Sequence, residues 1–322
     1  MIPPPHVSPT RRELAISSAR PDLRATPREA SSLRCVRLAI LALTFLAAAA
    51  AHAQDLDALV AAGDAAFERR ADGQVEGRAA PEPIGEAVRS FERATRLAPE
   101  RLDLQWRLLR ALYYEADFAS SGTDQERQRY RVGADRGDAV IGRLVARLGD
   151  DPAELDDATL TARASAAGLA RGDMARVYFW AGVHWGGWAR EAGLLQAVRI
   201  GVANTMYAYT SLAVRLDADL ERGGPLRLLS RMHATLPRVP FITGWVDTAQ
   251  AIPLAERAVA VLPTDIGNRY LLALTQEELL PQPDPGTQRT LEEVARATPR
   301  PELVIEDLLV ILEARERLAA PE

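Results

Sequence analysis

A chain of 322 residues, 48% of them hydrophobic, is long enough to bury a sizeable core. The formal charge is −5, but residues 1–53 hold seven arginines against three carboxylates, so the remainder carries about −9, which excludes nucleic acid as a natural partner. One cysteine, Cys35, leaves no disulfide framework and no thiolate chemistry beyond the leader.

Residues 36–53 (VRLAILALTFLAAAAAHA) follow Arg34, run apolar from Leu38 to Ala51 and end in a small-residue A-H-A before Gln54. That pattern predicts a secretory signal peptide cleaved near Ala53, its apolar run shorter than the ~20 residues of a membrane span. The Pro- and Arg-rich stretch 1–35 lacks apolar periodicity and exceeds an ordinary basic n-region, which points to a native start near Leu33 or Val36. Cys35 lies before the apolar run, where it cannot serve as a lipoprotein cysteine. The expected product is a periplasmic protein of residues 54–322, a single helical-repeat domain.

Gln54–Arg70 reads as an amphipathic helix, with Leu56, Leu59, Val60, Gly63, Ala66 and Phe67 on one stripe. After the loop 71–83, Ala87, Phe91, Ala94 and Pro99 fall at the spacing of the second helix of a tetratricopeptide repeat. Small residues admit a partner helix, the phenyl fills the gap between them and the proline stops the helix. A further helix runs from Leu102 to about Phe118, residues 120–135 read as a loop leading into a helix of about 133–148, and that helix closes at Gly149–Pro152. Gly168–Gly193 forms an aromatic helix. Residues 203–237 form a hairpin turning at Gly223-Gly224-Pro225, where Ala213 and Leu216 keep the repeat spacing and Ala218 replaces its proline. Ala251, Ala255, Ala258 and Pro263 repeat the pattern, Asn268 and Tyr270 open another helix, and two helices follow in 287–300 and 301–319. The predicted fold is all-α, a superhelix of tetratricopeptide-like hairpins.

In the aromatic helix, Trp180, His184 and Trp188 share one face and Gly182 and Gly186 another. Each interior glycine costs ~1 kcal/mol against alanine and requires a reason. Tight helix packing supplies one; a ligand cavity lined by Trp180, His184 and Trp188 supplies another. Tyr207, Arg227 and Trp245 complete the candidate cavity set. Arg227 suits either a carboxylate on a ligand or a salt bridge. No second ligand stands near His184 at metal spacing, so neither metal nor cofactor is expected. No nucleophile motif and no phosphate loop is present, and the pairs Asp156-Asp157 and Glu292-Glu293 read as solvated charges. A non-enzymatic protein is expected.

The order of three stretches carries a resemblance: Trp180, Gly182, Trp185, Gly186 and Trp188; then LDADLERGGPLRLL (216–229); then TGW (243–245) with AIPLAERAVAVLPTDIGNR (251–269). Across residues 55–280 the chain resembles the TRAP-transporter-associated TatT component family. The resemblance implies an exported helical-repeat protein, a homo-trimer, a pore-like cavity for a small hydrophobic or organic-acid ligand, and a periplasmic solute-binding protein as partner. The chain departs from the family in lacking the lipoprotein cysteine and in placing Ser230 where glycine is common. The reading that competes is a periplasmic protein–protein scaffold with no solute ligand.

Overall fold

The computed structural model describes residues 53–120, 122–280 and 284–319. The chain divides into two units, Met1–Ala53 and Gln54–Glu322, and the second holds the packed helices. The expected start region and signal peptide, apart from Ala53, lie outside the described residues.

The fold is all-α. The helices are α1 (53–68), α2 (Pro81–Leu97), α3 (Leu102–Tyr114), α4 (Thr123–Leu148), α5 (Asp157–Ala166), α6 (Arg171–Ala192), α7 (Leu194–Arg199), α8 (Val202–Leu216), α9 (Leu220–Thr235), α10 (Ala251–Val261), α11 (Ile266–Leu279), α12 (Pro285–Ala295) and α13 (Val304–Ala319). A π-helical turn, Glu115–Ala119, extends α3. Among the described residues the one extended pairing is an isolated bridge, Val75–Arg78.

Packing follows chain order. α2 lies on α3, α3 on α4 and α6, α6 on α8 and α9, α9 on α10 and α11, and α11 on α12 and α13. α4 also packs along α6, and α8 on α9. Ala87, Phe91, Ala94, Ala251, Ala255 and Ala258 are completely buried, while Pro99 and Pro263 lie exposed just past their helices. A Cβ on Gly63 of α1 would stand 2.6 Å from the Phe91 ring, so the phenyl fills the space that glycine leaves.

Three elements differ from the sequence reading. α4 begins at Thr123, where a loop was expected, because its first turns bury only Tyr130 among charged residues and so show no apolar stripe. α5 and α7 were not expected at all. α5 is short and opens on Asp156, whose carboxylate accepts from the Thr159 amide at 2.9 Å and the Thr159 hydroxyl at 2.7 Å. That makes Asp156 an N-cap rather than an idle surface charge. Its neighbour Asp157 pairs with Arg215 at 3.3 Å, Glu292 with Arg296 at 3.0 Å, and Glu293 with Arg269.

The last helix meets the first hairpin. Ile305, fully buried, joins the core of Phe67, Ile84, Val88, Phe91 and Leu112. Arg70 donates to the Glu306 carboxylate at 2.8 Å and to the Glu302 carbonyl at 2.5 Å.

Candidate functional site

The aromatic helix α6 is clamped on two sides. On the α4 side, a Cβ on Gly133 would stand 2.2 Å from the His184 ring, one on Gly137 2.6 Å from Ala181, and one on Gly187 2.2 Å from Tyr130. On the α8 side, Gly182 meets Thr210 and Tyr209, and Gly186 meets Met206. Close approach by two helices therefore accounts for the cost of these glycines. The cavity expected along this helix is filled by protein.

His184 is completely buried. Its Nε2 lies 2.9 Å from the Leu109 carbonyl, so Nε2 carries the proton and Nδ1 is left as a buried acceptor without a partner. Burial pushes its pKa down to about 4, against smaller upward pulls from the Leu109 hydrogen bond and the Asp117 charge. The ring is neutral at physiological pH. Trp180 lies 5.3 Å from the Tyr113 ring, and its buried Nε1 has no partner. Trp188 packs edge-on against Trp185 at 5.8 Å, with the Arg131 guanidinium over both rings. Beside this core the π-helical turn presents Asp117, whose carboxylate accepts from Tyr113 at 2.8 Å, from Arg190 at 3.1 Å and from Tyr130. Burial first, then the Asp117 charge, raises the Tyr113 and Tyr130 hydroxyls above the usual phenol range, so both remain donors.

Arg227 sits elsewhere, under the hairpin turn. Glu221, Arg222 and Gly223 all adopt left-handed backbone, at φ of 46, 57 and 82°. Two consecutive non-glycine residues in that region cost of order 1–3 kcal/mol each and need support. Arg227 supplies it by donating to the Arg222 carbonyl at 2.9 Å, the Glu221 carbonyl at 3.2 Å and Asn268 Oδ1. Asn268 in turn donates to the Arg222 and Ala258 carbonyls at 3.0 and 2.7 Å. Asp265 caps α11 through the Asn268 amide at 2.9 Å and receives Arg222 at 3.0 Å and Arg300 at 2.8 Å. Although burial opposes its charge, the Arg300 hydrogen bond and the Asn268 amide leave Asp265 below the usual carboxylate range. The expected ligand carboxylate or surface salt bridge for Arg227 is replaced by an internal cap. A Cβ on Gly223 would stand 3.1 Å from the Ala258 backbone and one on Gly224 2.7 Å from Phe179, so this turn needs both glycines. Residues from two of the three resembling stretches, 216–229 and 251–269, thus meet in this turn.

Tyr207 and Trp245 form a third group. Their rings stack at 4.1 Å and 13°, Trp245 Nε1 donates to Asn204 at 2.7 Å, and His233 packs edge-on against both. The six candidates therefore fall into three separate places: the α6 core, the hairpin turn, and the start of α8.

Two features escaped the sequence reading. Arg110 makes no hydrogen bond or ion pair among the described residues and stands 4.0 Å over the Phe67 ring, with Trp106 at 5.1 Å. Burial lowers its pKa to about 10, the Glu221 charge opposing, so it remains a cation. Arg107 and Arg176 also stand over Trp106, whose Nε1 donates to Asp173 at 2.8 Å. A cleft of about 220 Å³ opens between α5, α6 and the end of α8, floored by Leu160, Leu169, Met174 and Leu216 with Arg171 at its edge. None of the six candidate residues lines it. Arg171 is committed to the Leu216, Arg215 and Thr161 oxygens at 3.2, 2.9 and 3.2 Å. The cleft is accordingly mainly apolar, with the Thr161 and Ser165 side chains also on its lining. Neither i,i+4 spacing nor composition marks it in the sequence, because its walls come from three elements, one of which (α5) has no apolar periodicity. No group of three His, Cys, Asp or Glu able to hold a metal occurs among the described residues.

No family model matches the chain, and no curated protein matches it.

Proposed function

We propose that this is an exported, tetratricopeptide-like accessory protein of the TatT type that works by holding partners rather than by catalysis, with a TRAP-type solute-binding protein as the expected partner. The observation that carries the reading is the hairpin turn. Gly223, Gly224, Arg227, Asp265 and Asn268, drawn from the stretches that resemble the family, converge on one strained and fully capped bend. A superhelix of hairpins presents continuous surface for a folded partner. The test is capture of a purified TRAP-type solute-binding protein from the same cell by the immobilised chain, with an unrelated periplasmic binding protein as control. Equal retention of the two would overturn the partner assignment.

A second reading, solute handling, rests on the apolar cleft floored by Met174 and Leu216. It predicts that small apolar ring compounds raise the melting temperature and that Ala164→Phe, which fills the cleft, removes the shift. A shift that survives Ala164→Phe would place any solute elsewhere.

A further inference from the structure

Loop 236–247 is tied down at its base and apolar at its tip. Thr243, buried, donates to the Pro237 carbonyl at 2.5 Å and accepts from the Val239 amide at 2.9 Å. The Thr243 amide returns to the Val239 carbonyl at 2.9 Å, and His233 Nδ1 accepts from the Asp247 amide at 3.0 Å. Val246 is buried beneath the turn. Above this base Phe241 stands fully exposed at 106%, with its backbone at φ 65°. A bulky residue in the left-handed region, with its ring in water, gains nothing from the fold it strains.

The stacked pair Tyr207–Trp245 and the Trp245–Asn204 hydrogen bond fix this loop against the first turns of α8, immediately after α7. There Val198 and Ile200 are also exposed. Of the twelve large hydrophobic residues exposed among the described residues, five (Val198, Ile200, Val239, Phe241 and Ile242) fall in these two short segments. Segments 194–202 and 236–246 contain two arginines, Arg199 and Arg238, and no Asp or Glu, against a chain of net charge −5. Both arginines are exposed, and neither forms an ion pair among the described residues. The flanking carboxylates are engaged: Glu191 with Arg190 at 2.8 Å, and Asp247 with the Ala249 amide at 3.1 Å.

We propose that α7 and loop 236–246 form a membrane-contact surface that inserts Phe241 and Ile242 at the interface of an anionic phospholipid bilayer, with Arg199 and Arg238 on its headgroups. Aromatic and aliphatic tips in segments whose own charges are both cations have the composition of an interfacial anchor, whereas a protein-docking patch carries no requirement for one sign of charge. The residues are presented by a rigid turn, so docking orders little that is free in solution. No described helix is long and apolar enough to cross a membrane, so the contact is peripheral.

The test is vesicle co-sedimentation of the unit Gln54–Glu322, whose core clusters are its own, on vesicles of phosphatidylcholine alone and with 30% phosphatidylglycerol. The expected result is partitioning at least tenfold stronger on the anionic vesicles, weakening as salt rises. Phe241→Ser with Ile242→Ser should abolish binding to both. Arg199→Gln with Arg238→Gln should reduce anionic binding to the phosphatidylcholine level. Both variants should keep the parent's circular dichroism melting curve, since these side chains touch no core. Absence of binding by the parent, or equal binding by the serine variant, overturns the proposal. So does a parent that ignores vesicles and self-associates through Phe241, or binds a partner protein through it.

Discussion

Replacing His184 with glutamine separates a packed histidine from a working one. In the folded chain its pKa is lowered to about 4 by burial, while an unfolded chain titrates near 6.5. Between those values the unfolded state holds a proton that the folded state refuses, so stability is complete above pH ~6.5 and is lost as pH falls through the window. At ~1.36 kcal/mol per pKa unit the full effect is about 3 kcal/mol, of which roughly 2.5 is lost between pH 7.5 and 4.5. The groups around the ring do not imitate this. Tyr113 and Tyr130 are uncharged throughout, the Leu109 carbonyl does not titrate, the α4 face beside it is the backbone of Gly133, and the Asp117 carboxylate is common to both proteins. Glutamine keeps a donor for Leu109 but has no proton to gain. Urea denaturation of both proteins at steps from pH 7.5 to 4.5 reads the difference directly. The His184→Gln variant is expected to start lower and fall less steeply, the two curves converging by about 2–3 kcal/mol at pH 4.5. Parallel curves, or a ring resonance titrating near pH 6.5 in the folded protein, would refute the burial and tautomer assigned to His184.

Other perturbations probe the packing and the turn. Gly133→Ala drives a methyl to within 2.2 Å of the His184 ring and should destabilise by about 1–3 kcal/mol despite alanine's better helix propensity, measured as a lowered urea midpoint. Arg227→Met removes the donor to the Glu221 and Arg222 carbonyls and should cost about 2–4 kcal/mol. Its double-mutant cycle with Asn268→Ala should be non-additive by at least ~0.5 kcal/mol, since both side chains hold the Arg222 carbonyl. Ser230→Gly should lose about 1 kcal/mol with the hydroxyl's 2.8 Å bond to the Ala251 carbonyl. Ile305→Ala should cost about 2–4 kcal/mol, because this α13 side chain is fully buried in the core of Phe67, Ile84, Val88, Phe91 and Leu112.

The helices most legible in the sequence were those that bury one stripe. α2 and α10 announced themselves by small residues spaced to admit a neighbour. The N-terminal half of α4 did not, since charged residues surround its one buried aromatic, Tyr130. α7 is six residues long, too short for periodicity to mark. The candidate site was legible residue by residue but not as a place. Spacing correctly put Trp180, His184 and Trp188 on one helix, yet it carries no information about Gly133 and Gly137, fifty residues away, which bring α4 into the space a ligand would have needed. Likewise nothing local to Arg227 reveals that its partners are the carbonyls of a left-handed turn five and six residues back. Single-sequence periodicity reads faces, and a site is made where faces from different hairpins meet.

The clasp between Arg70 and Glu306 spans 236 residues of chain. An open array of repeats can fray from either end, losing one hairpin at a time at the local free energy of that hairpin. Here Ile305 of α13 is buried in the core of the first described hairpin, so removing α13 uncovers part of the Phe67 and Ile84–Phe91 face at the far end of the described residues. Unfolding should then be a single concerted transition rather than a progression of repeats. The contact that makes it so also closes the longest loop among the described side-chain hydrogen bonds, so its closure entropy is the largest of them.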